Sequence, residues 1–324
     1  METRGNLWTI ILSGGDGERL RSFVQRILGC ERPKQYCAFV GTRTMFQHTV
    51  DRASLLGPLE RLVTVVAKSH VGRGWVGRKH VPKGKLIAQP SSRDTGPGVF
   101  LPLAYVRRQD PDASVVILPS DHFVYPESLF IQRIRSAVEA AEAFPDRVVL
   151  LGAFPEKLDA DLGWIELGAS LCSSLNPSVS GVFCFTEKPA TDEAERVMKA
   201  GGLLNTLVII ARLNALWTLG RHHFPETIAL LEHAAKAFDT DREDAVLQQV
   251  YQKMPSWNIS ADLLGRTAAN LAAMELDGVQ WSDWGKPERI LDTLRRMGWA
   301  HDQYEPMFRP AGLRSASFTQ TKTT

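Results

Sequence analysis

The chain has 324 residues, of which 44% are hydrophobic and 23% are charged, as in an ordinary globular protein. Its 38 Lys and Arg residues nearly balance its 36 Asp and Glu residues, so the formal net charge is +2. This balance argues against a polybasic nucleic-acid binder and against an acidic tail protein. No apolar run approaches the roughly 18 residues of a membrane span, so we expect no membrane partner.

Cysteine usage and the first residues bear on the cellular compartment. Four cysteines, none in a CxxC pair, do not make a disulfide scaffold and do not indicate a zinc site. The start of the chain leads directly into a strand-like run at residues 7–12, without the long apolar segment of a signal peptide. We therefore expect a reduced, cytoplasmic protein.

Apolar runs and helical segments alternate along the chain. Runs rich in β-branched residues predict strands at 7–12, 61–67, 114–118, 147–151 and 181–185. Helical periodicity and Pro or Glu start signals predict helices at 44–56, 126–144, 225–238 and 287–297. This alternation predicts an α/β fold with a doubly wound, mostly parallel, Rossmann-like sheet.

The chain shows no clear internal linker. We therefore expect one domain over residues 1–300, followed by a tail over residues 301–324. The last ten residues hold six Ser or Thr and little that a core could bury, so we expect at least part of this tail to be disordered.

A glycine-rich turn follows the first predicted strand. Gly14, Gly15 and Gly17 lie directly after it in the run SGGDGERL. Glycines let a backbone approach a ligand closely, and successive N–H groups in such a turn can hold phosphate oxygens. Ligands of open α/β sheets bind at this carboxyl end of the strands. The turn is therefore a candidate phosphate site.

Three kinds of nucleotide site compete for this turn. A P-loop is excluded because no Gly-Lys is followed by Ser or Thr. A dinucleotide fingerprint, and with it a nicotinamide-dependent oxidoreductase, is disfavoured because Leu20 stands where the third glycine is needed. The third kind uses Arg19, whose guanidinium can pair bidentately with a polyphosphate. Downstream, Pro33 restricts the residue before it and presents Lys34 on a stiff segment.

The runs GGDGERL and RPKQY together resemble the N-terminal signature of the sugar-1-phosphate nucleotidyltransferases, and most of all that of mannose-1-phosphate guanylyltransferases. The resemblance extends from about residue 7 to residue 297. It implies the GT-A-like α/β fold of nucleotide-diphospho-sugar transferases. It also implies that Arg19 and Lys34 are catalytic, holding the phosphates of the nucleotide beside Gly14, Gly15 and Gly17.

Further motifs resemble the family's motifs and follow in its order. They are PSSRDTGP at 90–97, VVILPSDH at 115–122, GWIE at 163–166, FTEKP at 185–189, NT at 205–206 and WSDWG at 281–285. The first implies that Arg93, Asp94 and Thr95 bind the nucleotide, although the family usually has Asn where Asp94 stands and Ala where Gly96 stands. A carboxylate after a buried strand suits Mg²⁺, and the resemblance implies Asp121 and Asp283 as its two ligands.

The remaining motifs imply a sugar-phosphate site. By resemblance it comprises Gly163, Glu166, Glu187, Lys188 and Asn205, with Lys188 on the sugar phosphate. Carboxylates accept hydrogen bonds from sugar hydroxyls, which suits these residue types. Thr206 and Leu207 replace the Ser-Gly pair that usually follows the asparagine.

The implied partners are a nucleoside triphosphate, GTP by resemblance, and a sugar 1-phosphate, mannose 1-phosphate by resemblance. The implied products are GDP-mannose and pyrophosphate. Two related alternatives remain open: a regulatory paralogue that binds a nucleotide-sugar without making it, and a pyrophosphorylase with another base or sugar. A homodimer is compatible with the sequence, which does not specify the oligomeric state.

Overall fold

The computed structural model describes residues 6–29, 31–81 and 83–299. The strands are β1 (Leu7–Ser13), β2 (Leu62–Ala67), β3 (Lys85–Gln89), β4 (Ser114–Pro119), β5 (Phe123–Tyr125), β6 (Val148–Ala153), β7 (Gly163–Cys172), β8 (Val179–Glu187), β9 (Leu203–Arg212), β10 (Leu271–Glu275) and β11 (Gln280–Ser282). The α-helices are α1 (Arg21–Leu28), α2 (Met45–Ser54), α3 (Lys68–Gly72), α4 (Thr95–Gln109), α5 (Glu127–Ala143), α6 (Thr191–Lys199), α7 (Leu213–His223), α8 (Pro225–Ala235), α9 (Glu243–Lys253) and α10 (Pro287–Arg296).

Nine strands form one sheet in the order β3-β2-β1-β4-β9-β6-β10-β8-β7. The pairs β2–β3, β1–β2, β1–β4 and β6–β10 are parallel. Strand β9 runs antiparallel between β4 and β6, and β7, β8 and β10 are joined by antiparallel pairing. The predicted α/β class is confirmed, but the sheet is mixed rather than mostly parallel.

The mixed pairing follows from the connections. Helix α5 lies between β4 and β6 in the chain, and such a crossover lets the two strands point the same way. They are not adjacent, and β9 fills the gap between them in the opposite direction. The connection from β7 to β8 holds no helix, so these strands pair antiparallel as a hairpin.

The central strands are buried on both faces. In β4, Val115 packs in one hydrophobic core with Phe100 of α4, whereas Val116 packs in another with Ile134 of α5. Successive side chains of a strand point to opposite faces of the sheet. Helices therefore cover both faces, and polar groups that bind a ligand are left to the ends of the strands.

Each predicted strand lies on an observed strand, and the four predicted helices correspond to α2, α5, α8 and α10. The strands β3 and β10 and the helix α4 are among the elements that were not predicted. The predicted tail, residues 301–324, lies outside the described residues. None of the helices in the described part of the chain is both long and apolar enough to cross a bilayer.

Close packing at the start of α4 explains one departure from the family motif. Gly96 donates its N–H to the carbonyl of Trp257 at 2.9 Å. A Cβ on Gly96 would lie 2.2 Å from the Trp257 ring, which stacks on Phe224 with the ring centroids 3.7 Å apart. The indole occupies the space that an alanine would need.

Replacing Gly96 with alanine should therefore destabilise the protein. We expect Gly96→Ala to lower the free energy of unfolding by about 1–3 kcal/mol, the usual cost of overpacking a filled site. Urea denaturation measures this change. Gly72→Ala is the matched control, because a Cβ there meets nothing within 4 Å. An equal change in both variants would contradict the packing argument.

Candidate active site

The carboxyl ends of the parallel strands open into a cavity of about 610 Å³. The glycine turn after β1, the segment after β3 and the residues after β4 contribute its walls. Among the lining residues are Gly14, Gly15, Gly17, Arg19, Lys34, Gln35, Gln89, Asp94, Thr95, Asp121, His122, Leu207 and Gly285. Several residues predicted for nucleotide binding and catalysis thus share one cavity.

The two N-terminal motifs form one structural unit. Gly17 has a left-handed backbone with φ 61°, and a Cβ on it would lie 3.3 Å from the backbone nitrogen of Lys34. Gln35 donates from Nε2 to the carbonyl oxygen of Gly15 at 2.7 Å. Only glycine accommodates both the left-handed conformation and this close approach without strain. The turn is therefore seated on the segment that carries the lysine.

Lys34 joins three motifs. Its side chain is only 5% exposed, and Nζ lies 3.0 Å from Oδ2 of Asp121. The same ammonium donates to the carbonyl oxygens of Asp283 and Trp284. A buried charge requires such partners, because its desolvation is otherwise costly. The lysine is thus held, desolvated, at the wall of the cavity.

Asp121 provides a carboxylate at the same wall. Burial alone would raise the pKa of Asp121, but the positive charge of Lys34 and the neighbouring His122 lower it further than burial raises it. The net pKa lies below the usual value, so the group is ionised near neutral pH. Its side chain is 37% exposed, and it suits an oxygen ligand for Mg²⁺.

Asp283 is placed differently. Its Oδ1 accepts from Nη1 of Arg289 at 2.6 Å, and its side chain is 13% exposed. Burial would raise the pKa of Asp283, but His122 and Arg289 lower it more. The backbone carbonyl of Asp283, rather than its carboxylate, contacts Lys34. The donor set for Mg²⁺ thus fits in part, since Asp121 lines the cavity while the Asp283 carboxylate is paired with an arginine.

His122 lies next to both carboxylates. Trp281 donates from Nε1 to Nδ1 of His122 at 3.3 Å, and the other ring nitrogen lies 3.7 Å from Oδ1 of Asp121. Burial is the largest cause that lowers the pKa of His122. Because Nδ1 accepts from Trp281, the proton of the neutral ring lies on Nε2, which faces Asp121 at more than hydrogen-bond distance.

The predicted nucleotide-binding segment divides into two parts. Arg93 donates from Nε and Nη2 to the carbonyl of Tyr251 at 3.1 and 2.8 Å, and it does not line the cavity. Asp94 and Thr95 do line it, and Asp94 has φ 64° and accepts from the backbone nitrogen of Thr95. Arg93 is thus tied to α9 and lies outside the cavity lining, whereas Asp94 and Thr95 face the cavity.

A second polar group adjoins the cavity. Gly163 pairs with Glu187 across β7 and β8, and a Cβ on Gly163 would lie 2.6 Å from Oε2 of Glu187 and 3.3 Å from Cβ of Asn205. Asn205 accepts at Oδ1 from the backbone nitrogen of Leu207 at 3.1 Å, and Leu207 lines the cavity. Lys188 follows β8, exposed and with φ 50°.

Glu166 does not join this polar group. Along β7, Gly163 and Ile165 pair with Glu187 and Phe185, whereas Glu166 pairs with Cys184 on the opposite face. There it forms a bidentate ion pair with Arg196, with both N–O distances 2.8 Å. The alternation of the strand therefore corrects its predicted role as a sugar ligand.

The structure adds residues that the motifs did not indicate. Gln89, at the end of β3, lines the cavity and donates from Nε2 to the Tyr251 hydroxyl at 2.9 Å. Ser260 accepts at Oγ from Nδ2 of Asn205 at 3.4 Å. A polar residue ending an apolar strand could have indicated Gln89, had β3 been predicted. Nothing in the sequence around Ser260 marks it.

The comparisons with known proteins identify the family of the chain. A model of the nucleotidyl transferase family matches residues 8–297 of the chain. The chain therefore belongs to the nucleotidyl transferase family, which confirms the resemblance inferred from its motifs.

Two relatives are similar over most of the chain. The alginate biosynthesis protein AlgA of Pseudomonas aeruginosa is 30% identical over 292 residues, covering 90% of this chain and 55% of that protein. The mannose-1-phosphate guanylyltransferase ManC of Salmonella typhimurium is 26% identical over 287 residues, covering 86% of this chain and 58% of that protein. The chain thus spans a little over half the length of these curated relatives.

A solved structure supports the fold. A Thermus thermophilus protein, named as a mannose-1-phosphate geranyltransferase, superposes with a TM-score of 0.73 at 24% identity. The match covers 88% of this chain and 79% of that one. This similarity supports the overall α/β architecture.

The environment of Glu187 predicts a pH-dependent gain in stability when its charge is removed. Burial is the main cause that raises the pKa of Glu187; the charge of Lys188 partly opposes it, and Asp94 adds a smaller increase. When the pKa of a carboxyl group is higher in the folded than in the unfolded protein, its ionisation at rising pH lowers the free energy of unfolding. Glu187→Gln should therefore increase the free energy of unfolding at pH 8, and the gain should shrink as the pH falls towards the usual carboxyl pKa.

Urea denaturation of both proteins from pH 5 to pH 8 measures this difference. Glu139→Gln, at an exposed carboxyl on α5, is the control and should show no such gain. A Glu187→Gln protein that is less stable than the wild type throughout this range would contradict the assigned environment.

Proposed function

We propose that the chain transfers a nucleotidyl group from a nucleoside triphosphate to a sugar 1-phosphate, with GTP and mannose 1-phosphate as the favoured pair. The observation that carries this proposal is the convergence of the glycine turn, Lys34 and Asp121 on one cavity. Membership of the nucleotidyl transferase family and the printed name of the Salmonella relative support it. The products would be GDP-mannose and pyrophosphate.

The chemistry suits a site without a nucleophilic side chain. A phosphate oxygen of the sugar 1-phosphate attacks the α-phosphorus, the bond from the α-phosphorus to the bridging oxygen breaks, and pyrophosphate leaves. The attacking group is already anionic, so no base has to remove a proton from it. The protein has to hold two anions close together and stabilise the charge on the leaving group.

Different residues of the cavity would hold the nucleotide and stabilise its phosphates. Backbone N–H groups of Gly14, Gly15 and Gly17 would hold phosphate oxygens. Arg19 and Lys34 would stabilise the β- and γ-phosphates, and the lysine is already desolvated, which strengthens its effect. Asp94 and Thr95 would contact the nucleotide from the start of α4. The proposed role of Arg19 rests on its position in the lining and on its family motif.

The adjoining polar group would bind the sugar phosphate. Glu187 would accept hydrogen bonds from sugar hydroxyls, and Asn205 would accept or donate hydrogen bonds with them. Lys188 would pair with the phosphate. The absence of a side chain on Gly163 leaves room for the Glu187 carboxylate beside it. Asn205 is hydrogen-bonded to Leu207, which lines the cavity, and this contact supports binding of the sugar phosphate beside the nucleotide.

Asp121 would hold Mg²⁺, and Asp283 would be its second ligand although its carboxylate is paired with Arg289 in this structure. When bound, Mg²⁺ would neutralise charge on the polyphosphate. The pairing of Asp283 with Arg289 also supports a second candidate function, in which the chain binds a nucleotide-sugar without making it.

A substrate panel tests the proposal directly. Pyrophosphate release should be fastest with GTP and mannose 1-phosphate, and it should require Mg²⁺. Lys34→Met keeps most of the side-chain length but removes the charge, and we expect it to reduce turnover by about 10²–10³-fold, as for the loss of one oxyanion donor.

Two controls separate the alternatives. Thermal unfolding of Lys34→Met checks that the lost activity is not lost folding. If the wild type releases no pyrophosphate with any pair but binds a nucleotide-sugar, the binding function is correct and the transferase proposal fails. Release with another base or sugar would assign a different pyrophosphorylase.

A further inference from the structure

The glycine-rich turn contains one acidic residue whose side chain faces away from the main cavity. Gly15 and Gly17 line the large cavity, whereas Asp16, between them, lines a separate cavity of about 150 Å³. Its carboxylate is 53% exposed.

A buried histidine holds the carboxylate in that place. His70 lies in α3 and is 0% exposed, and its Nε2 is 2.9 Å from Oδ1 of Asp16. An ionised carboxylate only accepts hydrogen bonds, so the proton of this bond belongs to His70. The cost of burying a polar ring is offset only by such partners.

The same histidine connects to the other end of the turn. Its Nδ1 lies 3.2 Å from the Tyr36 hydroxyl, and that hydroxyl donates to the carbonyl oxygen of Ser13 at 3.0 Å. The two rings meet edge to face with centroids 5.4 Å apart. Ser13 and Asp16, which bracket Gly14 and Gly15, are thus both held by one buried pair of rings.

This arrangement matters for a site that binds a polyphosphate. Three glycines in four positions make the turn conformationally permissive. Gln35 holds it at the carbonyl of Gly15, and the contacts of His70 and Tyr36 add a second anchor at Ser13 and Asp16. A carboxylate released from His70 could also turn towards the cavity, where it would repel the phosphates. The hydrogen bond to His70 prevents this movement.

We propose that His70 is a positioning residue for the triphosphate, which fixes the glycine turn and holds the Asp16 carboxylate away from the phosphates. This inference rests on the proposed function for its kinetic consequences. The anchor itself is a property of the free protein. The experiment therefore has one readout that needs substrate and one that does not.

The kinetic readout compares the two substrates. His70→Leu should raise KM for the triphosphate about tenfold, change kcat less than about threefold, and leave KM for the sugar 1-phosphate unaltered. Adding Asp16→Asn to His70→Leu removes the negative charge of the carboxylate. The double variant should have a KM for the triphosphate at least threefold lower than that of His70→Leu. His222→Leu, at an exposed histidine on α7, is the control and should leave both KM values unaltered.

The second readout is hydrogen–deuterium exchange of the turn, residues 13–20, without substrate. Exchange should be about tenfold faster in His70→Leu than in the wild type, and it should remain fast in the double variant because the anchor is still missing. Asp16→Ala keeps the buried histidine and provides the same test if His70→Leu does not fold. It too should accelerate exchange in the turn.

Different failures point to different parts of the account. Equal KM increases for both substrates, with no recovery in the double variant, would mean that His70 has a general structural role and would overturn the proposal. Unaltered exchange in Asp16→Ala would overturn the anchor. A wild-type protein without transferase activity, but with faster exchange in the variants, would refute the proposed function and the kinetic role while leaving the anchor in place.

Discussion

The ammonium group of Lys34 is the interaction on which the candidate site depends. It is 5% exposed, and it contacts the carboxylate of Asp121 and two main-chain carbonyls of the segment that follows β11. A buried cation without such partners would cost several kcal/mol, so the three segments fix one another's positions. The same desolvation prepares the charge for an anionic substrate, because little water has to be removed when the phosphates arrive.

A second recurring feature is a glycine whose missing side chain lets a neighbouring group approach the backbone closely. Gly17 lets the turn rest on the backbone of Lys34, Gly163 leaves room for Glu187, and Gly96 receives the Trp257 ring. In each case a Cβ would enter space that a functional or packing group already occupies. The glycines thus bring a phosphate-binding turn, a polar group and the start of α4 to their places, and they explain why Gly96 departs from the family motif.

The sequence alone predicted the α/β class, the first strand with its turn, and several of the residues that line the cavity, because these depend on local patterns and on motifs. It did not predict the antiparallel insertion of β9, which depends on which strands become neighbours. The motif also assigned Glu166 to the sugar site, whereas the alternation of β7 turns this carboxylate to the opposite face, where it pairs with Arg196. The ion pair of Asp283 with Arg289 and the tie of Arg93 to Tyr251 are tertiary contacts, and no local pattern indicates them.

The most direct test of the central claim follows one labelled atom. The wild type is incubated with Mg²⁺, GTP and mannose 1-phosphate that carries ¹⁸O in its phosphate oxygens, and the products are analysed by mass spectrometry. The account predicts that the label appears in the nucleotide-sugar and that the pyrophosphate is unlabelled, because the sugar phosphate attacks the α-phosphorus. Labelled pyrophosphate, or no nucleotide-sugar from any triphosphate and sugar 1-phosphate pair, would contradict it.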